Sequence, residues 1–189
     1  MSGYNLGQLM AGQERLDSRR DKLLDNFIQF REGMIEELDS FAQHAAKIGL
    51  QGVEQCEKRH ATTEFLEVAF TLNKFDLVLA ATDTTLLLEY HGDLAAKIFI
   101  YQKGDEDTPP LFEIIVRESK EDHVYHVEYL GPPMRLVDCG PATKQGGQKA
   151  AAALIRCVYA FQSLWAGKPS LAVIRRKNVG KSSIDFPSQ

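Results

Sequence analysis

Apolar residues near the start of the chain fall into two interleaved sets, Leu9, Leu16, Leu23 and Phe30, and Phe27, Met34, Phe41 and Ile48, each repeating every seven residues. Where the sets overlap, from Leu23 to Met34, they advance by alternate fours and threes, the spacing that keeps one stripe of an α-helix facing the same neighbour along its length. Such a stripe has to be covered. From Gln13 to Ile48 the intervening residues are rich in Glu, Arg, Lys, Gln and Ala, with Asp17 or Ser18 as N-cap and Gly49 as stop. The spacing therefore predicts a rod of roughly 50 Å at ~1.5 Å per residue.

A compact domain of 189 residues is roughly 40 Å across, so the rod overhangs it unless it breaks near Gly33 into a hairpin. Apolar positions beyond the domain edge then require a second molecule. The stripe reads as an association seam with Leu16, Leu23, Phe27, Phe30, Met34, Phe41 and Ile48 as contact residues. Its partner is a second copy in a homodimer, or another protein's helix.

Residues 1–12 hold Gly3, Gly7 and Gly12 and are expected to be a flexible arm, because glycine is costly in a helix. The helical segment, 13–62, breaks again near Gly49 and ends in a short polar helix over about 53–61. At Leu66 the period changes to two: Leu66, Val68, Phe70 and Leu72 alternate with Glu67, Ala69, Thr71 and Asn73. Further strands are expected at 75–80, 85–90, 95–103, 111–118, 123–130 and 134–139, separated by connections too short for helical crossovers. Neighbouring strands should therefore pair antiparallel, as a meander of about six or seven strands. Several are apolar on both sides, Ile98 and Ile100 against Phe99 and Tyr101 for example, which implies cover on both faces.

From about Gln148, Leu154, Val158, Phe161 and Trp165 share one side of a helix that Gly167 and Pro169 end. Residues 171–174 can add a short strand that completes a sheet-plus-helix domain over 63–175. The fold class is α+β, with the C-terminal helix on one sheet face and the long amphipathic N-terminal helix beside it. The tail, 176–189, is polar and expected to be flexible.

Composition narrows the function. A net charge of −4 with 44% hydrophobic residues describes a globular chain without general affinity for nucleic acid or membranes. Lys168, Arg175, Arg176, Lys177 and Lys181 make the C-terminal stretch basic, but no aromatics are interleaved to stack on bases. Cys56, Cys139 and Cys157 are odd in number and widely spaced, so neither a disulfide framework nor a zinc knuckle is indicated, and a reducing, cytoplasmic setting is expected.

No constellation specifies a reaction. His123 and His126 alternate across a strand and cannot share a metal ion; the carboxylates are dispersed; Cys139 reads as a small hydrophobe at a strand end. No catalytic residue, metal or cofactor is expected, and the chain is read as a non-enzymatic binding protein. The alternative is a small-ligand module whose apolar pocket includes Phe99, Tyr101 and Tyr125. In it Thr143, Lys144, Gly146, Gly147 and Lys149 would form an anion-binding glycine loop at a helix start. That loop lacks the phosphate-loop order, since Lys144 precedes the glycine pair.

Overall fold

The computed structural model describes residues 6–61, 65–82, 86–87, 94–104, 110–118, 125–131 and 135–164, with backbone alone at 6, 86–87, 125–131, 135–139 and 161–164. The elements are α1 (Leu6–Lys47), β1 (Glu54–Ala61), β2 (Phe65–Leu72), β3 (Phe75–Thr82), β4 (Leu86–Leu87), β5 (Leu94–Gln102), β6 (Phe112–Glu118), β7 (Tyr125–Gly131), β8 (Arg135–Pro141) and α2 (Lys144–Leu164). Every strand pairing is antiparallel, in the order β1-β2-β3-β5-β6-β7-β8, and β4 pairs β5 off this run. The layout is the expected α+β one.

The count of six or seven strands needs correction. Five strands, β1, β2, β3, β5 and β6, are described with their side chains; β7 and β8 extend the sheet as backbone, and β4 has two residues. The expected polar helix over 53–61 is instead β1, an edge strand exposed at seven of its eight positions. With both faces wet it carries no period-two signal, and its conformation comes from pairing with β2. The register shifts around Cys56, whose amide donates to Asp39 Oδ1 of α1 at 2.7 Å. The expected strand at 171–174 and the tail lie outside the described residues.

Alternation decides which sheet face meets the helices. Val68, Phe70 and Leu72 of β2, Leu77, Leu79 and Ala81 of β3, Ala96, Ile98 and Ile100 of β5, and Phe112, Ile114 and Val116 of β6 share one face. They form a single core with Leu23, Phe27, Phe30, Met34 and Leu38 of α1 and Ala150, Ala151, Leu154 and Val158 of α2. Burial of each large side chain contributes roughly 1.5–3 kcal/mol. The other face carries Lys97, Phe99, Tyr101, Glu113 and Ile115, all half-buried.

Helix α1 is continuous through Gly33, so neither the break there nor a hairpin forms, and its 42 residues extend about 63 Å. It starts at Leu6 rather than Gln13 and includes Gly7 and Gly12. It ends where expected: Gly49 takes φ 72°, the Gly49 amide donates to Ala46 O at 3.2 Å, and the Leu50 amide to Ala45 O at 2.8 Å. That pair of bonds satisfies carbonyls the last turn would otherwise leave bare.

Candidate functional site

The seam residues divide by position along α1. Leu23, Phe27, Phe30 and Met34 are fully buried inside the chain, covered by its own sheet and by α2. They are corrected from partner contacts to core, because the sheet-facing side of α1 is the side the stripe defines. Phe41 packs against the core and meets Tyr159 of α2 edge-on, with ring centroids 6.0 Å apart. Ile48 is 64% exposed at the far end of the helix.

At the other end the cover runs out. Leu16 is the first large apolar side chain of α1 to touch the core, and it is only partly buried. Residues 7–15 are all exposed, with Leu9 at 56% and Met10 at 58%. Just after this overhang Arg19 of α1 reaches Glu118 at the end of β6, its Nε lying 3.0 Å from each carboxylate oxygen. Such charge-assisted, forked bonds fix direction as well as distance, so the overhang leaves the sheet at a defined angle. The site is thus an amphipathic helix end of nearly three turns, held at its root and bare along Leu9, Met10 and the outer part of Leu16.

The glycine loop serves a different purpose from the one its sequence suggested. Thr143 is the N-cap of α2: its Oγ accepts from the Gly146 amide at 3.1 Å, and its carbonyl accepts from Gly147 at 2.9 Å. These amides are therefore engaged by the chain. Gly146 and Gly147 are buried; a Cβ on Gly147 would lie 1.9 Å from Phe30 O, one on Gly146 2.1 Å from Pro141 O, and one on Gly33 2.0 Å from Lys144 O. Glycines from both helices let the backbones of α1 and α2 touch where they cross. Lys144 and Lys149 are exposed, and Lys144 Nζ pairs with Glu36 at 2.7 Å, a hydrogen bond that raises its pKa.

Phe99 and Tyr101 lie on the sheet face opposite the helices, 6.2 Å apart, with Lys97 Nζ 6.0 Å from the Phe99 ring and bonded to Glu113 at 2.6 Å. They do not share a cavity with the glycine loop: the sheet separates the two groups. The side chain of Tyr125 lies outside the described residues. A small cleft of about 50 Å³, lined in part by Glu54, Glu57, Thr71, Asp76 and Lys103, has room for a few water molecules and not for an organic ligand. Thr71 Oγ there donates to Asp76 Oδ1 at 2.8 Å.

Burial, reinforced by Asp39, pushes the Cys56 thiol up to about 12, which removes its thiolate at neutral pH. Among the described residues no group of three or more His, Cys, Asp or Glu side chains is placed to hold a metal ion, and no helix is long and apolar enough to cross a membrane. Sequence reasoning missed the clamp between Arg19 and Glu118, which are 99 positions apart, and the bond from Cys56 to Asp39; neither leaves a local signal. Met10 was findable, one residue from Leu9 on the predicted stripe.

Fold and site together define an α+β chain in which an antiparallel sheet packs its apolar face on a crossed helix pair, with one helix running past the sheet. No family model, curated protein or solved structure matches the chain.

Proposed function

We propose that this chain is a non-enzymatic association module that pairs with a second copy of itself through the overhanging N-terminal turns of α1. One observation carries the reading: nearly three helical turns stand clear of their own domain with Leu9 and Met10 more than half exposed. A short helical segment without tertiary contacts is marginal in water, the more so with Gly7 and Gly12 inside it. An equivalent helix laid along Leu9 and Leu16 supplies the missing contact, because a seven-residue repeat is complementary to another like itself. The free thiols of Cys56 and Cys157 suit a reducing, cytoplasmic setting for this role.

Light scattering on the wild type and on Leu9→Asp with Met10→Asp tests the reading. The expected outcome is a wild-type dimer at micromolar concentration and a folded monomer for the variant, with thermal unfolding little changed because both positions are exposed. A wild type that is monomeric at hundreds of micromolar overturns it.

A further inference from the structure

Independently of the pairing just proposed, we infer that Asp39 of α1 guards the open edge of the sheet, holding the Cys56 amide of β1 so that no further strand adds there. Among the described residues β1 pairs with β2 alone, and seven of its eight positions are exposed. The outer side of such a strand offers a row of amide donors and carbonyl acceptors that another extended chain can complete, a second copy of β1 included.

Two features break that row. The register against β2 is regular only over Glu57 and Lys58 and over His60 and Ala61; it shifts between Glu54 and Glu57 and again between Lys58 and His60. An added strand needs donors and acceptors at even spacing, so each shift interrupts what it could pair with. The first shift is also locked. Within it the Cys56 amide donates to Asp39 Oδ1 at 2.7 Å, and an amide has one hydrogen to give. A carboxylate accepts a stronger bond than the neutral carbonyl that an incoming strand would offer in its place.

The acceptor stands where it does because of how the chain returns from α1. Only residues 48–53 separate the end of α1 from β1, so the last turns of the helix lie beside the strand that follows. Asp39 is half-buried about two turns before Lys47. Its neighbour Leu38 belongs to the core and Phe41 packs against it, which fixes the rotation of the helix and with it the direction in which Asp39 points. From the other side, Cys56 is the one half-buried position of β1 and packs on the same core. Both partners of the bond are therefore anchored by apolar contacts, and the edge is closed without a covering strand.

Amide hydrogen exchange and light scattering on the full chain test the guard with Asp39→Ala, which removes the acceptor, and Asp39→Asn, which keeps an oxygen in its place. All chains, the parent included, also carry Leu9→Asp and Met10→Asp, so that the helix overhang contributes nothing. At low concentration the Cys56 amide of Asp39→Ala is expected to exchange at least about tenfold faster than that of the parent. As the concentration rises, its mass should climb to about twice the parent's or more, with the cooperative thermal transition retained. Asp39→Asn keeps the slow exchange and the mass of the parent. Slow exchange at Cys56 that survives Asp39→Ala, or an Asp39→Ala chain that stays at the parent's mass, overturns the inference. Equal association of Asp39→Asn and Asp39→Ala overturns it by assigning the guard to charge rather than to the bond. Loss of the thermal transition in Asp39→Ala overturns it by making Asp39 a requirement of the whole fold.

Discussion

At Gly147 the absence of a side chain decides how α2 approaches α1, since a Cβ there would stand 1.9 Å from the Phe30 carbonyl oxygen, and that atom is backbone that cannot rotate away. Gly147→Ala is therefore expected to cost at least about 2–3 kcal/mol, read as a lowered urea midpoint with an unchanged slope. A glycine loop selected for anion binding would instead show its loss as weaker phosphate binding at unaltered stability. Cys56 carries a residue-scale pH dependence. Its thiol is raised from the ordinary 9.0 to about 12, chiefly by burial and then by Asp39, so its contribution to stability is complete below pH 9 and is lost as the pH rises from 9 toward 12. Denaturant titrations across that range should show wild type losing stability faster than Cys56→Ala, and the Cys56 thiol should react with a disulfide reagent at pH 8 more slowly than an ordinary exposed thiol, read against Cys56→Ala as the blank.

Among the elements, α1 carries a stripe that was legible in the sequence and a packing partner that was not. Spacing alone identified the helix, its apolar face and its stop at Gly49, because a repeat of threes and fours is a local property of the chain. It could not say whether Phe30 and Met34 meet the chain's own sheet or a foreign helix, since the two offer the same apolar surface. The structure puts both at zero exposure inside one chain. Phe30→Asp with Met34→Asp should accordingly unfold the protein, seen as loss of the cooperative thermal transition, whereas charge at Leu9 and Met10 should leave that transition in place. β1 failed from sequence for the opposite reason. A strand wet on both faces has no alternation to read, and its amide at Cys56 finds a partner only because α1 lies beside it.

For the whole molecule, the consequential feature is a mismatch of lengths: a helix of about 63 Å on a body roughly 40 Å across. The body needs α1 only from about Leu16 onward, where the core begins, and it closes that core with α2 laid across the Gly33 crossing. The clamp of Arg19 on Glu118 joins the first helix to the sixth strand and sets the direction in which the remainder leaves. Partly exposed ion pairs contribute only about 0.2–1 kcal/mol, so the value of this one lies in orientation more than in stability.

By itself the sequence determined the α+β class, the antiparallel pairing of strands joined by short connections, and the amphipathic face and end of α1. Each of these is dictated by neighbours within a few positions. Tertiary structure alone decided that the seam from Leu23 to Met34 is core, that Gly33 and Gly147 serve a helix crossing, that Glu54–Ala61 is a strand, and that Phe99 and Tyr101 stand on the far side of the sheet from the glycine loop. The physical reason is common to all four: burial and backbone approach depend on what arrives from distant parts of the chain, and local spacing records only that a surface is apolar or a position small.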